Sequence, residues 1–190
     1  MSKRVSKAVL LCEDEAHQRL VRAFLKRCGI SNLDRLLTEK VASKLKKGGN
    51  DVWVLENFHI ELQAVRQRQK AKAETLLIVV IDADKHSVVE RRSELNVRAK
   101  NAEMEQLGEE EIALLIPKRN IETWFRALLG ETVDEEKDYK NNQKPTKEEI
   151  RQAAEKLYEW SCPGATLGKS CAPSLAASLP IWQMIGTRLK

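Results

Sequence analysis

Apolar residues along the chain follow two rhythms. Three short blocks, Ala8-Val9-Leu10-Leu11, Leu76 to Ile81 and Ile112 to Ile116, are continuous rather than alternating, as parallel strands covered on both faces should be. After the first and third blocks, apolar positions recur at helical spacing: Leu20, Val21, Phe24, Leu25 and Cys28, then Ile121, Trp124, Phe125, Leu128 and Leu129. A third face carries Ile150, Ala153, Ala154, Leu157 and Tyr158. The punctuation agrees with these periods. Gly29 before apolar Ile30 stops the first helix, Gly130 follows the second, and Thr146-Lys147-Glu148-Glu149 opens the third as a capping box.

Other stretches are assigned by weaker patterns. Leu33 to Leu37 and Val52 to Leu55 read as short strands, and Glu39 to Lys47 as a helix before the turn Gly48-Gly49-Asn50. A helix from Phe58 to Lys72 carries Arg66, Arg68, Lys70 and Lys72 in its C-terminal half, where cations suit the helix dipole. A polar helix runs from Val88 to Leu107 and stops at Gly108. Cys162 to Ser178 reads as loop, and a last helix from Pro180 to Leu189 packs Ile181, Trp182, Ile185 and Leu189 back onto the core. Strands alternating with helices predict an α/β fold, a Rossmann-like parallel sheet of about four strands flanked by helices. Composition changes after Gly130, so residues 1–130 are read as the α/β domain and 131–190 as a helical C-terminal extension packing on it.

A chain of 190 residues fits one ordinary domain, and 42% hydrophobic with 32% charged residues is a globular composition. The longest apolar run, Leu76 to Ile81, falls far short of the roughly 18 residues that span a bilayer. Lys3, Arg4 and Lys7 precede an apolar stretch that breaks into Glu13-Asp14-Glu15 without a cleavage pattern, so the cytoplasm is the expected compartment and no membrane is expected as partner. Cys12, Cys28, Cys162 and Cys171 contain no C-x-x-C pair and read as structural thiols. A net charge of +5 and a pI near 9.0 permit contact with a polyanion without requiring it.

The chemistry is expected at strand ends. In an open parallel sheet, ligands lie beyond the carboxyl ends of the strands. Glu13 follows the first strand and Asp82-Ala83-Asp84 follows the clearest one, with alternation turning Asp82 and Asp84 the same way. Converging carboxylates repel one another unless a hard cation lies between them, which makes Glu13, Asp82 and Asp84 candidate ligands of Mg²⁺ or Mn²⁺. The competing role for acids after strands is helix capping, which Asp84 or Asp14 can fill alone. Glu122 is a further candidate ligand, or a first-turn acid favoured by the helix dipole. Lys118 and Arg119, and Lys85 and His86 beside the D-x-D, are candidate contacts to a substrate phosphate. Arg66 to Lys72 and Arg91-Arg92 extend a positive track toward a nucleic-acid backbone, or are solvated helix faces. His17 reads as a solvated or hydrogen-bonded surface residue, with metal ligation or phosphate orientation as its alternative.

Val9-Leu10-Leu11-Cys12-Glu13 before a helix, with Val79-Val80-Ile81-Asp82-Ala83-Asp84 later, resembles the Toprim domain of topoisomerases, primases and OLD-like nucleases. The segment Ile116 to Trp124 and the tail Ala172-Pro173-Ser174-Leu175 are similar to small stand-alone Toprim-like proteins of bacteria, which often accompany an ATPase and serve in anti-phage defence. The resemblance spans Val5 to Gly130. It implies a Toprim-like fold and a metal-dependent nuclease with Glu13, Asp82 and Asp84 as metal-binding catalytic residues, to which Glu122 and Lys118 are added as candidates by their own place after the fourth strand. It also implies nucleic acid, DNA or RNA, as substrate and an ATPase as partner, with a homo-oligomer left open. Many members have Gly where this chain has Asp14, and nuclease members often carry a second acid where it has His17, which favours one metal over two.

Two other readings remain. Leu11-Cys12-Glu13-Asp14-Glu15 before an amphipathic helix also looks like the opening of a phosphoacceptor receiver, with Asp82 as acceptor. A non-catalytic subunit that binds an ATPase or nucleic acid would use Trp160 and Trp182 as exposed anchors.

Overall fold

Two of the uninterrupted apolar blocks become the inner strands of one sheet, and the third, from Ile112, forms a strand at its edge. The protein, described by a computed structural model over residues 5–45, 49–101, 112–140 and 144–190, has strands β1 (Lys7–Cys12), β2 (Leu37–Val41), β3 (Thr75–Val80) and β4 (Ile112–Leu115). All pair in parallel in the order β2-β1-β3-β4, with Cys12 beside both Val41 and Val80. The helices are α1 (Glu15–Arg27), α2 (Leu33–Leu36), α3 (Ala42–Leu45), α4 (Asn50–Lys70), α5 (Val88–Asn101), α6 (Ile121–Leu128), α7 (Lys147–Ser161) and α8 (Pro173–Leu189).

Strand alternation divides the core into two layers. Ala8, Leu10, Cys12, Leu76, Ile78 and Val80 face α1, α6, α7 and α8, whereas Val9, Leu11, Leu77, Val79 and Ile81 face α4 and α5. The expected α/β fold with a four-stranded parallel sheet is therefore present. The C-terminal helices are part of the first layer: α7 lies against α1, and α8 against α7 and β4. Trp182 is fully buried, its ring edge-on to Phe24 at 4.8 Å and to Trp124 at 6.5 Å. Trp160 is buried too, so neither tryptophan is an exposed anchor for a partner.

Several local assignments change. Leu33 to Leu36 form a helical turn, and the strand begins at Leu37 and takes in Glu39 to Val41, where a helix was expected. β2 lies at the sheet edge and buries only its ends, Leu37 and Val41, so its Thr-Glu-Lys centre lacks an apolar strand pattern. The remainder of that expected helix is α3 up to Leu45, and residues 46–48 lie outside the described residues. Val52 to Leu55 belong to α4, where Val54, Leu55, Phe58, Leu62 and Val65 form one buried stripe; four apolar residues alone do not separate strand from helix. The expected end of α5 at Leu107 and Gly108 also lies outside the described residues. α8 starts earlier than expected because Pro173, at its first turn, has the backbone angle a helix start requires.

Among the described residues no helix is long and apolar enough to cross a membrane. Cys12 and Cys28 are free and buried, and burial pushes their thiols up to about 12 and about 11. The capping box at α7 is complete, with Thr146 Oγ1 accepting from Glu149 N at 3.2 Å and a Glu149 carboxylate oxygen accepting from Thr146 N at 2.7 Å. Thr146→Ala is expected to lower stability by about 1 kcal/mol, read as a lower urea midpoint at unchanged slope. An unchanged midpoint would mean that α7 is held by packing alone.

Candidate metal centre

The strand order fixes where a site can form. From β1 the chain proceeds to β2 on one side, while β3 and β4 lie on the other, so the sheet reverses direction between β1 and β3. Connections diverge at such a reversal and leave a crevice at the carboxyl ends of the two strands. Glu13 directly follows β1, and Asp82 lies just past β3. Pairing continues beyond β3: Ile81 N donates to Leu115 O at 3.2 Å, Ala83 N to Pro117 O at 2.8 Å and Asp84 N to Arg119 O at 3.1 Å. This holds Asp82 rigidly in the crevice, where its own N–H donates to Glu13 Oε1 at 2.6 Å across the reversal point.

The first turn of α1 completes the group. Asp14 is the N-cap, its Oδ1 accepting from Ala16 N at 2.8 Å and His17 N at 3.3 Å. The same oxygen lies 2.8 Å from His17 Nδ1, and His17 Nε2 lies 3.0 Å from Asp82 Oδ1. His17 is fully buried between two carboxylates, which corrects its reading as a solvated surface residue. The reason is local: the cap turns the first turn inward, and the residue three beyond the cap faces β3 rather than water.

The ionisation states follow from this packing. Burial disfavours the charged imidazole, but the charge of Asp82 and hydrogen bonds to Asp14 and Asp82 outweigh it and raise the His17 pKa well above its ordinary value. Each ring nitrogen faces an acceptor-only carboxylate, so both carry hydrogen and the ring is an imidazolium. Burial, reinforced by the charge of Asp82, pushes Glu13 up to about 8. For Asp14 burial acts upward, but the bonds and charge of His17 hold it below the usual carboxylate range.

Glu13, His17 and Asp82 each offer a ligand atom, all within 4.8 Å of one another, and this buried group can hold a metal ion. Two further observations fit a cation. Asp82 Oδ2 is buried without a hydrogen-bond partner, and a bound ion would satisfy it. Asp14 stands behind His17 as a second carboxylate that fixes the ring, the arrangement that orients metal-ligating histidines.

The other predicted residues lie at the rim. Asp84 adopts a left-handed backbone, φ +53°, and its carboxylate approaches Arg91 Nη2 at 3.8 Å, outside the tight group; burial and then the Asp82 charge raise its pKa. Glu122 has a buried Oε2 without a hydrogen bond and a pKa raised by burial and by the charges of Asp82 and Asp14. Lys118 Nζ donates to His86 O at 3.4 Å and Glu136 Oε2 at 3.2 Å, and Arg119 Nη1 donates to Asp84 O at 3.0 Å. Lys85 and His86 are exposed just beyond the D-x-D. Arg91 is buried, paired with Glu94 at 2.9 Å and near Asp51 at 3.6 Å, so it is no part of a surface positive track.

Lys140 was missed, and His17 was weighed as a ligand only as the alternative to a surface residue. Asp14-x-x-His17 was legible as an N-cap acid beside a first-turn imidazole. Lys140, whose Nζ lies 3.7 Å from Asp82 Oδ2, arrives from a polar connection that carries no sequence signal. Comparison with protein-family models, curated proteins and solved structures gave no match.

Proposed function

We propose that this protein is a metal-dependent phosphodiesterase that cleaves DNA or RNA, with Mn²⁺ or Mg²⁺ held by Glu13, His17 and Asp82. The observation that carries the reading is the buried Glu13–His17–Asp82 group at the sheet reversal. Mg²⁺ takes oxygen ligands almost exclusively, so the imidazole makes Mn²⁺ the better fit of the two. When bound, such a cation neutralises a phosphate and activates a water for in-line attack.

The chain's own residues supply the rest. Asp14 holds the His17 ring in place, and the Asp82 N–H fixes the Glu13 carboxylate. Lys118, Arg119 and Lys85 give the rim beside Asp84 positive charge for a phosphate backbone, with His86 exposed next to Lys85. Glu122, with its orphaned oxygen, is the candidate to accept a proton from the attacking water. The resemblance to small Toprim-like nucleases is the ground for expecting an ATPase partner and a role in phage defence. The receiver reading is weaker, because Asp82 is fully buried and bound to His17 whereas a phosphoacceptor must meet its donor.

The test is Mn²⁺ calorimetry on the wild type, Asp82→Ala and Asp84→Ala, alongside cleavage of plasmid DNA and total tRNA. Binding and cleavage are expected in the wild type and lost in Asp82→Ala, while Asp84→Ala keeps Mn²⁺ binding within about tenfold, since its carboxylate lies outside the tight group. A well-folded wild type that binds no Mn²⁺ would overturn the metal reading and leave a non-catalytic partner-binding subunit as the better account.

A further inference from the structure

The segment 131–140 brings Lys140 to the carboxylate group, and its fastenings are specific. Asp138 Oδ1 accepts from Asn120 Nδ2 at 2.7 Å and from Lys140 N at 2.8 Å, and Asp138 Oδ2 lies 3.8 Å from Arg119 Nη2. Asn120 is itself buried as the N-cap of α6, accepting from Thr123 N at 3.2 Å. Farther back, Glu135 accepts from Ser174 N at 3.1 Å and from Ser174 Oγ, joining the segment to α8. The strap is thus tied to two helices, and its last fastening sets the backbone of Lys140.

Lys140 is the residue the strap delivers. Its ammonium lies 3.7 Å from Asp82 Oδ2, the buried oxygen that has no hydrogen bond. Burial disfavours its charge, but the charge of Asp82, followed by those of Glu13, Asp84 and Glu122, raises its pKa. Lys140 remains half-exposed, which leaves it room to turn outward.

We infer that Lys140 is a tethered counter-cation, held by the strap over Asp82 in the metal-free protein and displaced outward when a divalent cation binds. The inference rests on the proposed metal site and adds its regulation: the chain carries a competitor for its own metal. Displacement also turns the ammonium toward the mouth, where an anionic substrate would meet it.

Calorimetry with MnCl₂ on the full chain tests this in three variants. Lys140→Met removes the competing charge and should tighten Mn²⁺ binding on the order of tenfold, given a unit charge this close to a ligand oxygen. Asp138→Ala separates tethering from simple electrostatics. Loss of a nearby negative charge would weaken cation binding, whereas release of the strap should tighten it. Lys144→Met, which removes a cation lying 3.5 Å from Glu15 Oε2, is the control and should leave the affinity unchanged. Tighter binding in both Lys140→Met and Asp138→Ala supports the inference. Equal affinity in wild type and Lys140→Met, or weaker binding in Asp138→Ala, overturns it and leaves the metal site standing. If neither wild type nor Lys140→Met binds Mn²⁺, the inference and the metal reading fall together.

Discussion

His17→Ala is expected to lose about 3–5 kcal/mol of stability in EDTA at neutral pH, because it strips a buried carboxylate of its partner. Asp82 is fully buried, with one oxygen bound to His17 and the other lacking any hydrogen bond. Without the imidazole, its charge faces only the backbone-bound Glu13 and the half-exposed Lys140. Mn²⁺ affinity should fall in the same variant by about a hundredfold, since the lost ligand is the one that Asp14 orients. Urea unfolding in EDTA and calorimetry read the two effects. The double variant His17→Leu with Asp82→Leu should regain most of the lost stability while binding no metal, as apolar replacements of buried ion pairs usually do. That pattern would identify a pair kept for chemistry. A loss below about 1 kcal/mol in His17→Ala would show that the pair carries little in the folded state.

What the sequence disclosed divides along physical lines. Strands β1, β3 and β4 and helices α1, α6 and α7 were legible because each is buried along a whole face or on both sides, so periodicity alone marks them. β2 was obscured because an edge strand buries only its ends, and the start of α4 because four apolar residues fit either period. Glu13 and Asp82 were found by their place after strands, since ligands of an open parallel sheet lie beyond the carboxyl ends, and the pairing of β1 with β3 is what brings the two together. Asp84 was expected beside them from strand alternation, but the left-handed turn at φ +53° ends the alternation there. Lys140 was invisible for a different reason: its position depends on Asp138, in the polar stretch after Gly130, meeting Asn120 18 residues earlier, a contact that no local pattern encodes.

Mn²⁺ affinity is expected to rise steeply with pH, by roughly tenfold to a hundredfold from pH 6 to pH 7, because the cation replaces protons. In the metal-free site at neutral pH, His17 is an imidazolium and Glu13, with its pKa pushed up to about 8, holds its proton. A metal needs neutral imidazole and ionised carboxylate, so a divalent ion displaces two unit positive charges and leaves the net charge of this buried group unchanged. That balance explains how three titratable side chains share one crevice without metal. Stability in EDTA should run the opposite way. The folded pKa values of both Glu13 and His17 are raised, so the folded state binds more protons than the unfolded chain. Glu13 contributes stability that is fully present below its ordinary value of 4.5 and lost as pH rises through about 8; the His17 contribution is present below 6.5 and lost only at higher pH, through its raised folded value. The metal-free protein should therefore weaken between pH 5 and pH 8 while the Mn²⁺-induced rise in Tm grows over the same range. Thermal melts in EDTA and in excess MnCl₂ at several pH values measure both slopes, and calorimetry in buffers of different ionisation enthalpy counts the protons released. A Tm increment from Mn²⁺ that is flat with pH, with no proton release, would mean that the ion binds elsewhere than at Glu13 and His17.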